Sequence, residues 1–97
     1  MRIKGVSENE ENIIKNILQS YCGKYNFYYY GSRVKGNFRA LSDLDILVEG
    51  NDIDLNDIED MKTAFDESLL PYVVNLSYNV DENFYNLIKD SLVVVIP

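Results

Sequence analysis

Histidine and tryptophan are absent from the 97-residue chain, cysteine occurs once and proline twice. Without histidine there is no Ser-His-Asp triad, no Cys-His pair and no histidine-ligated zinc centre. The single cysteine, Cys22, cannot close an internal disulfide, which suits a reducing compartment. Cations are also scarce: nine Lys and Arg against sixteen Asp and Glu leave a net charge of −7. A protein that tracks a long nucleic acid needs a cationic face to displace counterions, and the chain as a whole lacks one. The longest apolar run, near the C-terminus, is too short to span a bilayer. No secretory signal opens the sequence, since Met1 to Val6 is short and an acidic run follows it. These absences lead to the expectation of a cytoplasmic protein with no membrane segment and no extended nucleic-acid binding.

What is present suits one small globular unit, and residues 1–97 are read as a single domain. A chain of this size buries roughly 60–68% of its unfolded surface, enough for one core. Four Phe and eight Tyr supply bulky material for it.

The periodicities give the order of elements. Ser7 and Glu10 form a capping-box pattern ahead of Ile13, Ile14, Ile17, Leu18, Tyr21 and Cys22, which recur at helical spacing. On that stripe Cys22 reads as a small buried hydrophobe, with Gly23 as the stop. Asn26 to Tyr30 predicts an aromatic strand with Phe27 and Tyr29 on one face and Tyr28 and Tyr30 on the other. Leu44, Ile46, Leu47 and Val48 predict a second strand. A helix is expected from about Asn56, with Leu55, Ile58, Met61, Phe65 and Leu69 as its buried stripe and Pro71 as its end. Tyr72 to Tyr78 then reads as a strand. A short helix capped by Asn79 or Asp81, with Phe84, Leu87 and Ile88 inward, precedes a last strand over Leu92 to Ile96. The fold class is α/β of the α+β kind: a small mixed sheet of about four strands with helices packed mainly on one side.

The informative stretch is FYYYGSRVKGNFRALSDLDILVE, Phe27 to Glu49. Ten residues separate Ser32 from Asp43, and Asp45 follows on the same face of the strand, with Cα atoms roughly 6.5–7 Å apart. Gly31 permits a tight turn, and exposed amides after Ser32 attract phosphate if a helical turn begins there. Arg33, Lys35 and Arg39 fall within seven residues that contain no acid, a local cationic patch suited to a polyphosphate. Magnesium takes oxygen ligands, and Asp43 and Asp45 can reach a common ion. The expected site therefore pairs Gly31, Ser32, Arg33 and Lys35 for the nucleotide with Asp43 and Asp45 for one or two Mg2+.

This motif resembles the signature of the polymerase-β-like nucleotidyltransferase superfamily, Gly-Ser, a gap, then Asp-x-Asp. GSRVKGNFRALSDLDILVE looks like the minimal nucleotidyltransferases, small proteins often paired with a HEPN-domain protein. The resemblance implies a nucleotidyltransferase fold and transfer of a nucleoside monophosphate from a triphosphate with magnesium. For antitoxin members it implies transfer of AMP from ATP to a tyrosine of a toxin partner that is a ribonuclease. It also implies that Gly31 and Ser32 hold the triphosphate, that Asp43 and Asp45 bind the metal, and that Ser42 positions the turn into the second strand.

The pattern usually includes a third carboxylate on the next strand. Here that position falls on Asn75, within PYVVNLSY. An amide carries no charge and cannot accept the nucleophile's proton. Losing general-base help alone typically costs on the order of 10²–10⁴ in rate. Two readings stay open at this point. One is a working, slower enzyme using Asp43, Asp45 and Asn75; the other is a nucleotidyltransferase-fold binding module that neutralises its partner by occlusion.

Overall fold

The structure is a computed structural model that describes residues 3–97. Helix α1 spans Glu8–Leu18, β1 Asn26–Tyr30, α2 Ser32–Lys35, β2 Leu44–Glu49, α3 Leu55–Asp66, β3 Val74–Ser77, α4 Glu82–Ile88 and β4 Val93–Val94. The four strands form one sheet in the order β3-β2-β1-β4. β1 is antiparallel to both of its neighbours, whereas β2 and β3 run parallel with α3 as their crossover.

The capping box at the start of α1 is present: the Glu10 amide donates to Ser7 Oγ at 3.2 Å, and the Ser7 amide donates to Glu10 Oε1 at 3.0 Å. A side-chain cap of this kind contributes about 0.5–2 kcal/mol. Asp54 and Asp81 cap α3 and α4 in the same way, accepting from the amides of Asn56 and Phe84.

Ile14 and Leu18 of α1 and Ile58, Met61 and Phe65 of α3 pack on one sheet face, against Phe27, Tyr29, Leu44, Ile46, Val48 and Val74. Each such side chain, fully buried, stabilises the fold by roughly 1.5–3 kcal/mol. Tyr30 and Leu47 are buried on the opposite face, where Phe84 of α4 meets the Tyr30 ring edge-on at 5.8 Å. Thus α1 and α3 cover one face, and α4 covers part of the other. The end of that second face carrying Asp43 and Asn75 stays exposed.

Four apolar positions depart from the sequence reading. After Leu18 the chain tightens into a 3₁₀ turn over Gln19–Tyr21, and that change of pitch carries Cys22 off the buried stripe into solvent. Helix α3 ends at Asp66, Ser68 Oγ binds Phe65 O at 2.6 Å, and Leu69 emerges 92% exposed while Leu70 joins the core. Leu55, the first residue of α3, is exposed as well. In the seven-residue α4, Phe84, Tyr85 and Ile88 face inward, leaving Leu87 80% exposed. The last strand is also shorter than expected, although Val95 beyond it is fully buried and its amide donates to Phe27 O at 3.0 Å.

Candidate nucleotide and metal site

β1 ends at Gly31, whose φ of 88° and ψ of −158° lie in a region open only to glycine. A Cβ at this position would collide with Asp45 Oδ2 and lie 3.3 Å from its Cγ. The turn and the carboxylate are therefore fitted to each other. Ser32 begins α2, a single helical turn in which the Val34 and Lys35 amides donate back to Gly31 O, each at 3.1 Å. Gly36 stops it in the left-handed conformation, φ 86°. The leading amides of a first turn have no carbonyl one turn back, which leaves them available to an anion beside the exposed Lys35.

The sheet brings the acidic residues together. Asp45 lies between Tyr30 of β1 and Asn75 of β3 as register partner of both. Asp43 sits just ahead of β2, and the Asn75 amide nitrogen donates to Asp43 Oδ2 at 3.0 Å and to Asp45 Oδ1 at 3.3 Å. Two carboxylates can only accept, so the amide turns its nitrogen toward them. Burial, opposed by the Asn75 hydrogen bond and reinforced by the Asp43 charge, holds the Asp45 carboxyl above the ordinary aspartate range. Beside it, the Tyr30 hydroxyl meets Ser77 Oγ at 2.7 Å and is likewise pushed up, chiefly by burial.

The convergence of both carboxylates on one N–H donor marks where a cation is attracted, and their oxygens are the hard donors that magnesium takes. Among the described residues no cluster of three or more His, Cys, Asp and Glu could hold a metal. Asp43 and Asp45 are the residues there that could offer such oxygens, with Asn75 as a neutral neighbour.

Arg33 is a correction. It was expected at the nucleotide, yet it is only 3% exposed. Its guanidinium donates to the carbonyls of Ser42 (3.0 Å), Gly5 (2.6 Å), Ala40 (2.8 Å) and Arg39 (3.4 Å). Tyr72 and Phe38 flank it, with ring centroids 3.9 and 5.0 Å from Cζ. These donors are occupied inside the fold, so the exposed cations near the site are Lys35 and Arg39. Ser42 braces the loop: its Oγ accepts the Arg39 amide at 2.9 Å and its carbonyl accepts Arg33. Sequence reading missed Gly5, Phe38 and Tyr72 as the surroundings of Arg33; a buried arginine leaves no periodic signal.

A glycine–serine turn thus opens onto two sheet-borne carboxylates. Residues 11–96 match the nucleotidyltransferase domain family, and the chain belongs to it. It is 34% identical over 93 residues to the Haemophilus influenzae protein named "Probable protein adenylyltransferase MntA", covering 93% of this chain and 82% of that one. A crystal structure from Sulfolobus solfataricus assigned as a nucleotidyltransferase shares the fold at 18% identity, with a TM-score of 0.52 over 87% of this chain and 73% of that one. Nucleotidyl transfer, from a nucleoside triphosphate with a divalent metal, is the chemistry of the family. No helix among the described residues is long and apolar enough to cross a membrane.

Proposed function

We propose that this protein transfers AMP from ATP, with magnesium, to a hydroxyl on a protein partner, and that it acts in the cytoplasm as the antitoxin of a HEPN-type toxin. The observation that carries the reading is the convergence of Asp43 and Asp45 beside the Gly31–Ser32 turn. The likeness to a relative named as a protein adenylyltransferase supports a protein acceptor, as does the net charge of −7, which disfavours a nucleic-acid acceptor.

In the proposed reaction the acceptor oxygen bonds the α-phosphorus of ATP. The bridging oxygen to the β-phosphorus departs with the bonding pair as pyrophosphate, and the acceptor's proton passes to a carboxylate or to water. Gly31 lets the chain turn close against Asp45, while Ser32 and the leading amides of α2 hold phosphate oxygens, with Lys35 adding charge. Asp43 and Asp45 would hold the metal, which supplies charge neutralisation to the triphosphate when bound. With Asp43 and Asn75 both exposed, the site is open on one side, and the partner is the element that covers it.

Asn75 favours a second reading, in which the fold binds and occludes its partner with little transfer. The two are separated by incubating the protein with α-labelled ATP, magnesium and a HEPN-type protein. Label on the partner, lost in Asp43→Ala, supports transfer. Tight binding of the partner with no label supports occlusion.

A further inference from the structure

Residues 37–42 enter Asp43 without belonging to a helix or strand, so their backbone groups need partners from elsewhere. One side chain supplies many of them. Arg33 binds the carbonyls of Arg39, Ala40 and Ser42, and Ser42 is the covalent neighbour of Asp43. The same guanidinium reaches across to Gly5 O in the segment before α1. That segment lies directly on the arginine: a Cβ on Gly5 would stand 2.5 Å from Arg33 Cβ, 2.8 Å from its Cγ and 2.9 Å from its Cα. A buried cation without compensation is strongly disfavoured, and here carbonyl dipoles and the faces of Tyr72 and Phe38 replace its water. Tyr72 is fixed in turn by donating to Glu10 Oε1 at 3.0 Å, which links the assembly to the start of α1.

We propose that Arg33 is a positioning residue: by tying residues 39–42 to Gly5 it fixes where Asp43 stands against Asp45 and where α2 begins, and it does not touch the nucleotide. The activity and metal-binding arms of this proposal rest on the reading above; the exchange arm does not.

The test uses the full chain with Arg33→Gln, Arg33→Lys and Gly5→Ala. Mn2+ binding is read by electron paramagnetic resonance, backbone exchange by hydrogen–deuterium mass spectrometry, and AMP transfer by steady-state kinetics. In Arg33→Gln, residues 39–43 are expected to exchange faster while α1 and α3 keep their protection. Mn2+ affinity should fall about 10–100-fold, as when the support behind a metal ligand is lost. Transfer should lose kcat by a similar factor, with KM for ATP little changed. Arg33→Lys, able to reach fewer carbonyls, should recover part of each loss. A phosphate ligand would behave in the opposite way, with raised KM, unchanged Mn2+ affinity and unchanged exchange; that result overturns the proposal. Should Arg33→Gln fail to fold, Gly5→Ala decides, since it disturbs the same contact while keeping the charge. Faster exchange at residues 39–43 with weakened Mn2+ binding supports the proposal, and unchanged values of both sink it. If the natural protein binds Mn2+ and responds to these substitutions yet labels no partner, the transfer reading fails and the positioning role stands.

Discussion

Replacing Gly31 by alanine tests whether the turn and Asp45 are fitted to each other. Two costs are separable. The first is backbone strain: φ 88° with ψ −158° is closed to alanine and costs about 1–3 kcal/mol. Taking about 2 kcal/mol, Tm should fall by about 8–16 °C for a domain of this size. The second is collision with Asp45 Oδ2, which must retreat by on the order of 1 Å to reach ordinary contact. Displacing a reacting constellation by about that much costs roughly 10²-fold in rate. Gly36→Ala provides the comparison. Its φ of 86° also resists a side chain, at about 1 kcal/mol, but a Cβ there would meet nothing within 4 Å. Differential scanning fluorimetry and transfer of α-labelled AMP should therefore show both variants destabilised and only Gly31→Ala nearly silent in transfer. Equal loss of transfer in both, or a Gly31→Ala protein as stable and active as the natural one, would refute the reasoning.

Asn75→Asp should raise transfer by about tenfold or more, within the range of a restored proton acceptor, and should lower Tm in EDTA because a third carboxylate replaces a donor to two others; a variant no faster than the natural protein removes Asn75 from the account. Asp57 accepts from Lys24 Nζ at 2.8 Å and from Tyr25 Oη at 2.7 Å, and these bonds, Lys24 first, hold its carboxyl below the ordinary value. A depressed folded pKa gives stability that is present above the unfolded value of about 3.9 and lost as pH falls through the folded one. Asp57→Asn should thus be less stable at pH 7, with the gap closing only below about pH 3.9; a gap independent of pH across that range would show that the carboxylate's charge is not involved. Cys22, exposed on the turn after α1, should react with Ellman's reagent in the native protein as fast as in urea, and slow, unfolding-limited labelling would contradict its placement.

Much of this site is visible in sequence because its parts are local or periodic. Gly31-Ser32 directly follows β1 and Asp43-x-Asp45 leads into its antiparallel neighbour β2, so a short stretch of chain contains the turn, the loop and both acids. Asn75 was locatable through the family resemblance, which puts a third position on the next strand, and β3 does pair with β2 at that residue. Arg33 was misread because charge suggests solvent or phosphate, whereas its partners are backbone carbonyls that no residue type announces. Leu69, Leu87 and Cys22 failed for a different reason. Each lies where a helix ends, tightens or is too short for its period to decide which residue turns inward.

The pairing of Asp45 with Asn75 across parallel strands has an evolutionary consequence. Asparagine and aspartate codons differ by one base, and the two side chains have nearly the same shape. A lineage carrying this backbone can thus pass between a two-acid and a three-acid centre in one mutational step, with no strand shifted and no core residue repacked. The number of acids at that position is thus adjustable while the scaffold around it stays the same.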